Sequence, residues 1–301
     1  MRSTFRTFMF VLGLSTVLPL TPALADDTQE AIRGLTELSI LMDKSTMAYD
    51  MFRLDEGNPI YSSALNRIVE RIRTNTQTYQ GQFGNDADIS NNIQQLNRSL
   101  DTFLKELKTN QDEIAQGGYE EFALVDDMYD QKASAKNRAA ELIDAIKSTT
   151  GTTADPVVVE SRELAALLQT ITANYIEQAS SITGRALRGG EDQNLAIDKL
   201  SDLFSERLAA FNPASDKVIG LNAKVRDVKN KWAFLKNSMA NFKTDTVPYL
   251  VFHYADKMVD DLLDIADMYE NKDRQAIQAP SFGMEDNGST PLPFGIPPAQ
   301  N

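Results

Sequence analysis

Apolar residues recur along this chain in steps of three and four almost from end to end, and strict alternation is nearly absent. That period predicts helices. In the first half Leu35, Leu38, Leu41, Met42, Tyr49 and Phe52 mark one face of a helix that stops near Gly57-Asn58-Pro59. A second helix is predicted from about Ser62 to Tyr79. A third carries Ile89, Ile93, Leu96, Leu100, Phe103, Leu104, Leu107 and Ile114 and stops at Gly117-Gly118. A fourth runs from about Glu120 to Lys147.

The second half repeats this punctuation. Asp155-Pro156 supplies an N-cap and a proline at the first helical position. Leu164, Leu167, Leu168, Ile171, Tyr175, Ala179, Ile182 and Ala186 follow, up to Gly189-Gly190. The next helix, about Asp192 to Phe211, stops at Asn212-Pro213. A third, about Asp216 to Lys243, turns Val218, Leu221, Val225, Val228, Trp232, Leu235, Met239 and Phe242 inward. Asp245-Thr246-Val247-Pro248 opens the last, which ends near Asn271. The one β-branched run, Val157-Val158-Val159, leads straight into a helical pattern.

The halves also share residues. At a shift of 126, Glu37, Leu38, Leu41, Thr46 and Tyr49 fall on Glu163, Leu164, Leu167, Thr172 and Tyr175. At a shift of 132, Ala64, Leu65, Arg67, Ile68 and Tyr79 fall on Ala196, Ile197, Lys199, Leu200 and Phe211. Such a repeat predicts two copies of one folding unit. Short turns between long amphipathic helices imply antiparallel neighbours. The expected fold is all-α, two tandem antiparallel four-helix bundles at 26–148 and 157–273, joined by 149–156. One elongated bundle mixing helices of both halves is the alternative.

The two ends read differently. Arg2 and Arg6, an apolar run from Phe8 to Leu20, and Ala23-Leu24-Ala25 predict a signal peptide at 1–25, cleaved after Ala25. The expected location is periplasmic or secreted. Residues 274–301, rich in Pro, Gly, Ser and Asn, carry no period and predict a disordered tail. Its Pro-Leu-Pro and Ile-Pro-Pro are a spacer or, in the sharper reading, a ligand for an aromatic groove.

Composition narrows the chemistry. The 301 residues contain no Cys, one His and a formal charge of −13. Disulfides and thiolate metal sites are excluded, and an acidic chain repels nucleic acid. His253 with Asp256, Asp260, Asp264 and Asp267 has metal-ligand spacing, but a helical wheel sets them opposite Val251, Ala255, Met258, Leu262, Ile265 and Tyr269. That reads as a solvated outer face. No activated nucleophile is evident, so no enzyme, catalytic residue, metal or cofactor is predicted.

Thr46, Tyr49, Thr172 and Tyr175 recur at one repeat position. They are shared packing with hydroxyls at a bundle rim, or paired polar groups lining a ligand pocket between helices. Arg185 and Arg188, beside glycine turns, either complement a helix C-terminus or capture an anion. Trp232, Phe234 and Phe242 read as core. Any ligand site is expected in the second half, which alone holds the Val-Pro opening, the tryptophan and the histidine.

The stretches LSILMDKSTMAYDMF, LAALLQTITANYIEQA and NFKTDTVPYLVFHYADKMVDDL resemble the N-terminal sensor domain of type IV pilus methyl-accepting chemotaxis transducers, the PilJ-like family. The resemblance implies a free-standing, exported sensor-type bundle. Related nitrate sensors hold their anion with an arginine in the first helix. Here Ile40-Leu41-Met42-Asp43-Lys44 and Ala166-Leu167-Leu168-Gln169-Thr170 contain none, so anion binding by that route is not expected. The expected partners are a small-molecule ligand or an envelope or receptor protein, with homo-oligomers open. A cell-envelope scaffold without a ligand is the competing reading.

Overall fold

The computed structural model describes residues 22–80, 86–117, 121–151, 154–181, 191–214, 218–240 and 247–271. Regular structure among them is entirely α-helical. The helices are α1 (Pro22–Leu54), α2 (Pro59–Gln80), α3 (Ala87–Ala115) and α4 (Phe122–Thr150) in the first half. In the second they are α5 (Pro156–Ser180), α6 (Glu191–Ala210), α7 (Leu221–Ala240) and α8 (Pro248–Glu270). The signal-peptide stretch up to residue 21, and the tail from residue 272, lie outside the described residues, as do 182–190.

Local chemistry fixes where the helices begin and end. Asp86 sits in the extended region and accepts from the N–H groups of Asp88 and Ile89, opening α3. Asp155 accepts from Val157 N at 2.9 Å, and Pro156 occupies the first turn of α5, as its sequence predicts. At the end of α4, Gly151 turns to φ 63° and its N–H reaches Lys147 O at 3.0 Å. A residue without Cβ takes that left-handed cap at no steric cost.

In each half the four helices close into a ring. α1 touches α2 and α4, and α3 touches the same two; α5, α6, α7 and α8 repeat this arrangement. One core holds Leu35, Leu38 and Leu41 of α1 with Leu100 and Phe103 of α3 and Met128 and Leu142 of α4. The other holds Leu164 and Leu168 of α5, Phe204 of α6, Trp232 of α7 and Leu262 of α8. The predicted inward faces hold for most of their described residues, with Ile114, Leu167 and Ala179 only partly buried. Phe234 is more than half exposed and leans on Tyr254, while Tyr269 is only half-buried.

The halves meet along α1 and α5. Asp43 pairs with Thr170, Gln169 with Met47 and Ser180 with Asp50, so the two helices advance in the same direction. Three α1 side chains, Ile40, Met47 and Met51, belong to the second core rather than the first. Consequently every residue from Ile40 to Phe52 is buried. α1 is the central helix of the molecule, sheathed by its own half on one side and by α5 on the other.

Candidate functional site

A helix enclosed on all sides is expected to be apolar throughout. α1 instead carries Asp43, Lys44, Ser45, Thr46 and Asp50 within its enclosed stretch. The hydroxyls fold back on their own helix: Ser45 Oγ donates to Met42 O at 2.8 Å and Thr46 Oγ1 to Asp43 O at 3.2 Å. The charged groups need partners from other helices, because an unpaired buried charge is strongly unfavourable.

Asp43 finds them on α4 and α5. It accepts from Lys136 Nζ and from Thr170 Oγ1, the latter at 2.9 Å, and Lys132 Nζ lies 3.5 Å away. Lys136 also donates to Thr170 Oγ1 at 3.2 Å. Lys132 donates to Thr46 Oγ1 at 3.1 Å, and its ammonium stands 4.8 Å from the centre of the Tyr129 ring. One turn further along, Asp50 accepts from Tyr129 Oη at 2.6 Å and Ser180 Oγ at 3.0 Å, with Arg53 at 3.4 Å.

These groups surround an open cleft of about 440 Å³ between α1, α4 and α5, lined by Asp43, Lys132, Lys136, Thr170, Asn174 and Glu177, among others. Its two carboxylates, Asp43 and Glu177, and the neighbouring Asp50 differ in character. Burial alone would raise Asp43, but Lys136 and Lys132, with hydrogen bonds from Lys136 and Thr170, outweigh it and hold the carboxyl below its ordinary value. Burial raises Asp50 despite Arg53 and its two hydroxyl donors. Burial also pushes Glu177 up to about 7, with Lys132 opposing and Asp50 reinforcing. Glu177 is 5% exposed, and its Oε1 has no hydrogen-bond partner among the described residues.

The opposite flank of the α1–α5 seam is built from α8. Lys44 reaches Asp256 at 2.7 Å and Asp260 at 3.0 Å. Arg33 pairs with Asp267 at 3.1 Å, and Arg162 with Glu270 at 2.8 Å. Beside them lies a second cleft, of about 480 Å³, but its basic side chains all hold carboxylates: Arg71 there pairs with Glu37. The aspartates of α8 are therefore not a purely solvated face. Asp256, Asp260 and Asp267 bind α1 or α5, and Asp264 binds Lys224 of α7 at 2.7 Å. His253 does face solvent. Among the described residues no group of three or more His, Asp or Glu side chains is placed to hold a metal ion.

The repeated polar residues Thr46, Tyr49, Thr172 and Tyr175 are all packed inside the molecule. Tyr49 and Tyr175 are fully buried, not at a rim, and Tyr175 Oη accepts from Val247 N at 3.0 Å. Thr172 is buried and donates to Leu168 O at 2.8 Å. Neither cleft is lined by Thr46, Tyr49, Thr172 or Tyr175; Thr46 touches the site only through Lys132. Arg185 and Arg188 lie outside the described residues, as does Phe242.

The sequence carries one signal for the residues that build the cleft. Val125, Met128, Tyr129, Lys132, Ala135, Ala139, Leu142 and Ile146 form the inward stripe of α4, and Lys132 is the one charge on it. No family model, no curated protein and no solved structure matches this chain.

Proposed function

We propose that this is an exported, non-enzymatic sensor-type protein that binds a small polar solute in the α1–α4–α5 cleft. One observation carries the reading: an open cleft is walled by charged side chains that the fold has withdrawn from water. Buried charge is an inefficient way to hold helices together, since apolar packing does as well or better. Its retention around a cavity of ligand size favours recognition.

Several features support the rest. Lys132 and Lys136 are both paired with Asp43, which argues against a free nucleophile. The leader-like stretch from Arg2 to Ala25 supports export, and no described helix is long and apolar enough to cross a membrane. The α1 and α5 motifs that resemble PilJ-like sensor domains form the two helices of the seam. A ligand bridging α4 and α5 would bias how the halves sit against each other, and so present an altered surface to a signalling partner.

Isothermal titration with small anions, amino acids and sugars tests this, alongside Lys136→Met. Binding to the parent protein that weakens in the variant is the expected result. If no compound binds, the scaffold reading gains. That reading draws on the α8 flank, where Lys44 and Arg33 of α1 tie the halves together through Asp256, Asp260 and Asp267.

A further inference from the structure

We infer that the cleft takes a small zwitterion of the α-amino acid type, its ammonium donating to Glu177 and its carboxylate facing Lys136 and Asn174. The inference rests on the ligand-binding reading above and specifies it.

Glu177 lines the open cleft, and its buried Oε1 has no donor among the described residues. Such an atom carries the full cost of lost hydration unless a donor arrives. The neighbouring cations are committed elsewhere. Lys132 serves Thr46, Asp43 and the Tyr129 face; Lys136 serves Asp43 and Thr170; Arg53 serves Asp50 and Ser180. A donor entering the cleft would meet a carboxyl group that none of these bonds satisfies. Glu177 being a carboxylate, an N–H carried on a cation makes the strongest bond to it.

Charge balance sets the rest of the ligand. The charged side chains that line the cleft are Asp43 and Glu177 against Lys132 and Lys136, two of each sign. A ligand of no net charge preserves that balance, whereas a bare amine or a bare anion leaves an uncompensated charge in a half-enclosed site. The acid end has somewhere to go: Lys136, the more exposed lysine, and the Asn174 side chain line the same cleft. A volume of about 440 Å³ lies near the lower end of small-molecule sites, which suits a molecule of amino-acid size.

Proton linkage gives an independent signature. Asp43, Asp50 and Arg53 of α1 and Tyr129 and Lys132 of α4 face Glu177, and burial sets its carboxyl at about 7. An ammonium docked there releases a proton near neutral pH. A carboxylate docked alone against the lysines has the opposite effect.

The test is titration calorimetry on the full chain with the common α-amino acids, their N-trimethyl betaines and the matching nitrogen-free carboxylates. Each is measured in two buffers of different ionisation enthalpy near pH 7, and again with Glu177→Gln. The expected result is binding by amino acids with proton release. Betaines and carboxylates should bind about tenfold or more weakly, and Glu177→Gln should bring a similar loss for amino acids alone. Gln keeps the size of the side chain, and an unchanged helical circular dichroism spectrum certifies the fold. Equal binding of nitrogen-free carboxylates, unaffected by Glu177→Gln, overturns the zwitterion and leaves the small-solute reading standing. Binding by no compound of any class removes both.

Discussion

Lys44 of α1 and Thr170 of α5 stand at equivalent positions of the repeat, and each reaches the fourth helix of the other half. Lys44 crosses to Asp256 and Asp260 of α8; Thr170 is met by Lys136 of α4. The partners correspond too, since Lys132 and Lys136 fall on Asp256 and Asp260 at a shift of 124. The parallel contact of α1 with α5 thus acts as a pseudo-twofold axis, with two related flanks of opposite charge. On the α8 flank a single lysine faces two carboxylates and the pairing is complete. On the α4 flank two lysines share Asp43, and Glu177 is left over. The two flanks share a frame, and differences at these few positions give them different pairing.

Asp43→Asn should be among the most damaging conservative changes outside the apolar cores. It preserves shape but leaves Lys132, with only a tenth of its side chain exposed, and Lys136 without their common counter-charge. Breaking a buried pair from one side costs about 3 kcal/mol. Urea unfolding should show that loss, and Lys132→Met added to Asp43→Asn should restore part of it. Full additivity of the two changes would mean that the pair is not coupled.

Stability should fall as pH rises through neutrality. Glu177 is raised by burial from 4.5 to about 7, so the folded state binds its proton more tightly than the unfolded chain. That contribution is fully present below 4.5 and is lost as pH rises through about 7; its size is on the order of 3 kcal/mol. Asp50, also raised, acts in the same direction. Asp43, held low, acts oppositely and only in acid, where its protonation as pH falls removes stability. Melting temperatures from about pH 5 to about pH 8 should therefore decline in the unliganded protein, and decline less with Glu177→Gln. A parallel decline in the variant would exclude Glu177 as the source.

The helices were legible because each buries one stripe, and a stripe leaves its period in the sequence. Ile89 through Leu107 in α3 and Val251 through Ile265 in α8 follow that period. The cleft was not legible for the same reason. Its residues face a third helix, and burial by a third helix falls on positions that one helix's period marks as outward. Asp260 reads as solvated surface until Lys44 of α1 is set beside it. Lys132 could have been noticed on the apolar stripe of α4, and Asp43 and Asp50 in a helix with apolar residues around most of its circumference. The repeat showed that α1 and α5 were equivalent. It held no information that equivalent residues would touch.

Because Ile40, Met47 and Met51 of α1 complete the second core, the halves should unfold together. Trp232, the only tryptophan, is 5% exposed, stacks edge-on against Phe204 at 4.6 Å and donates to Ser205 Oγ at 2.9 Å. Its fluorescence reports the second half alone, while helical circular dichroism reports both. The two denaturation curves should coincide. Met47→Ala, a change in the first half, should lower the Trp232 transition by about 2 kcal/mol or more, the range for a large-to-small core change. A Trp232 midpoint indifferent to Met47 would show that the halves fold separately.

Tyr175→Phe separates structural from ligand-binding roles for the repeated tyrosines. Tyr175 Oη accepts the N–H of Val247, the residue that precedes Pro248 and opens α8. Proline has no N–H of its own to anchor that end of the helix, so the contact from α5 fixes where α8 starts. Removing the hydroxyl leaves the Val247 N–H with nothing but whatever water can reach it. A loss of about 1–2 kcal/mol is expected from an orphaned, partly buried donor. Affinity for a ligand in the α1–α4–α5 cleft should not change, because Tyr175 lies in the second core and does not line that cleft. Titration and urea unfolding on the same variant decide the matter. Lost affinity at unchanged stability would return Tyr175 to the binding site, whereas lost stability at unchanged affinity assigns it to the junction of α5 with α8.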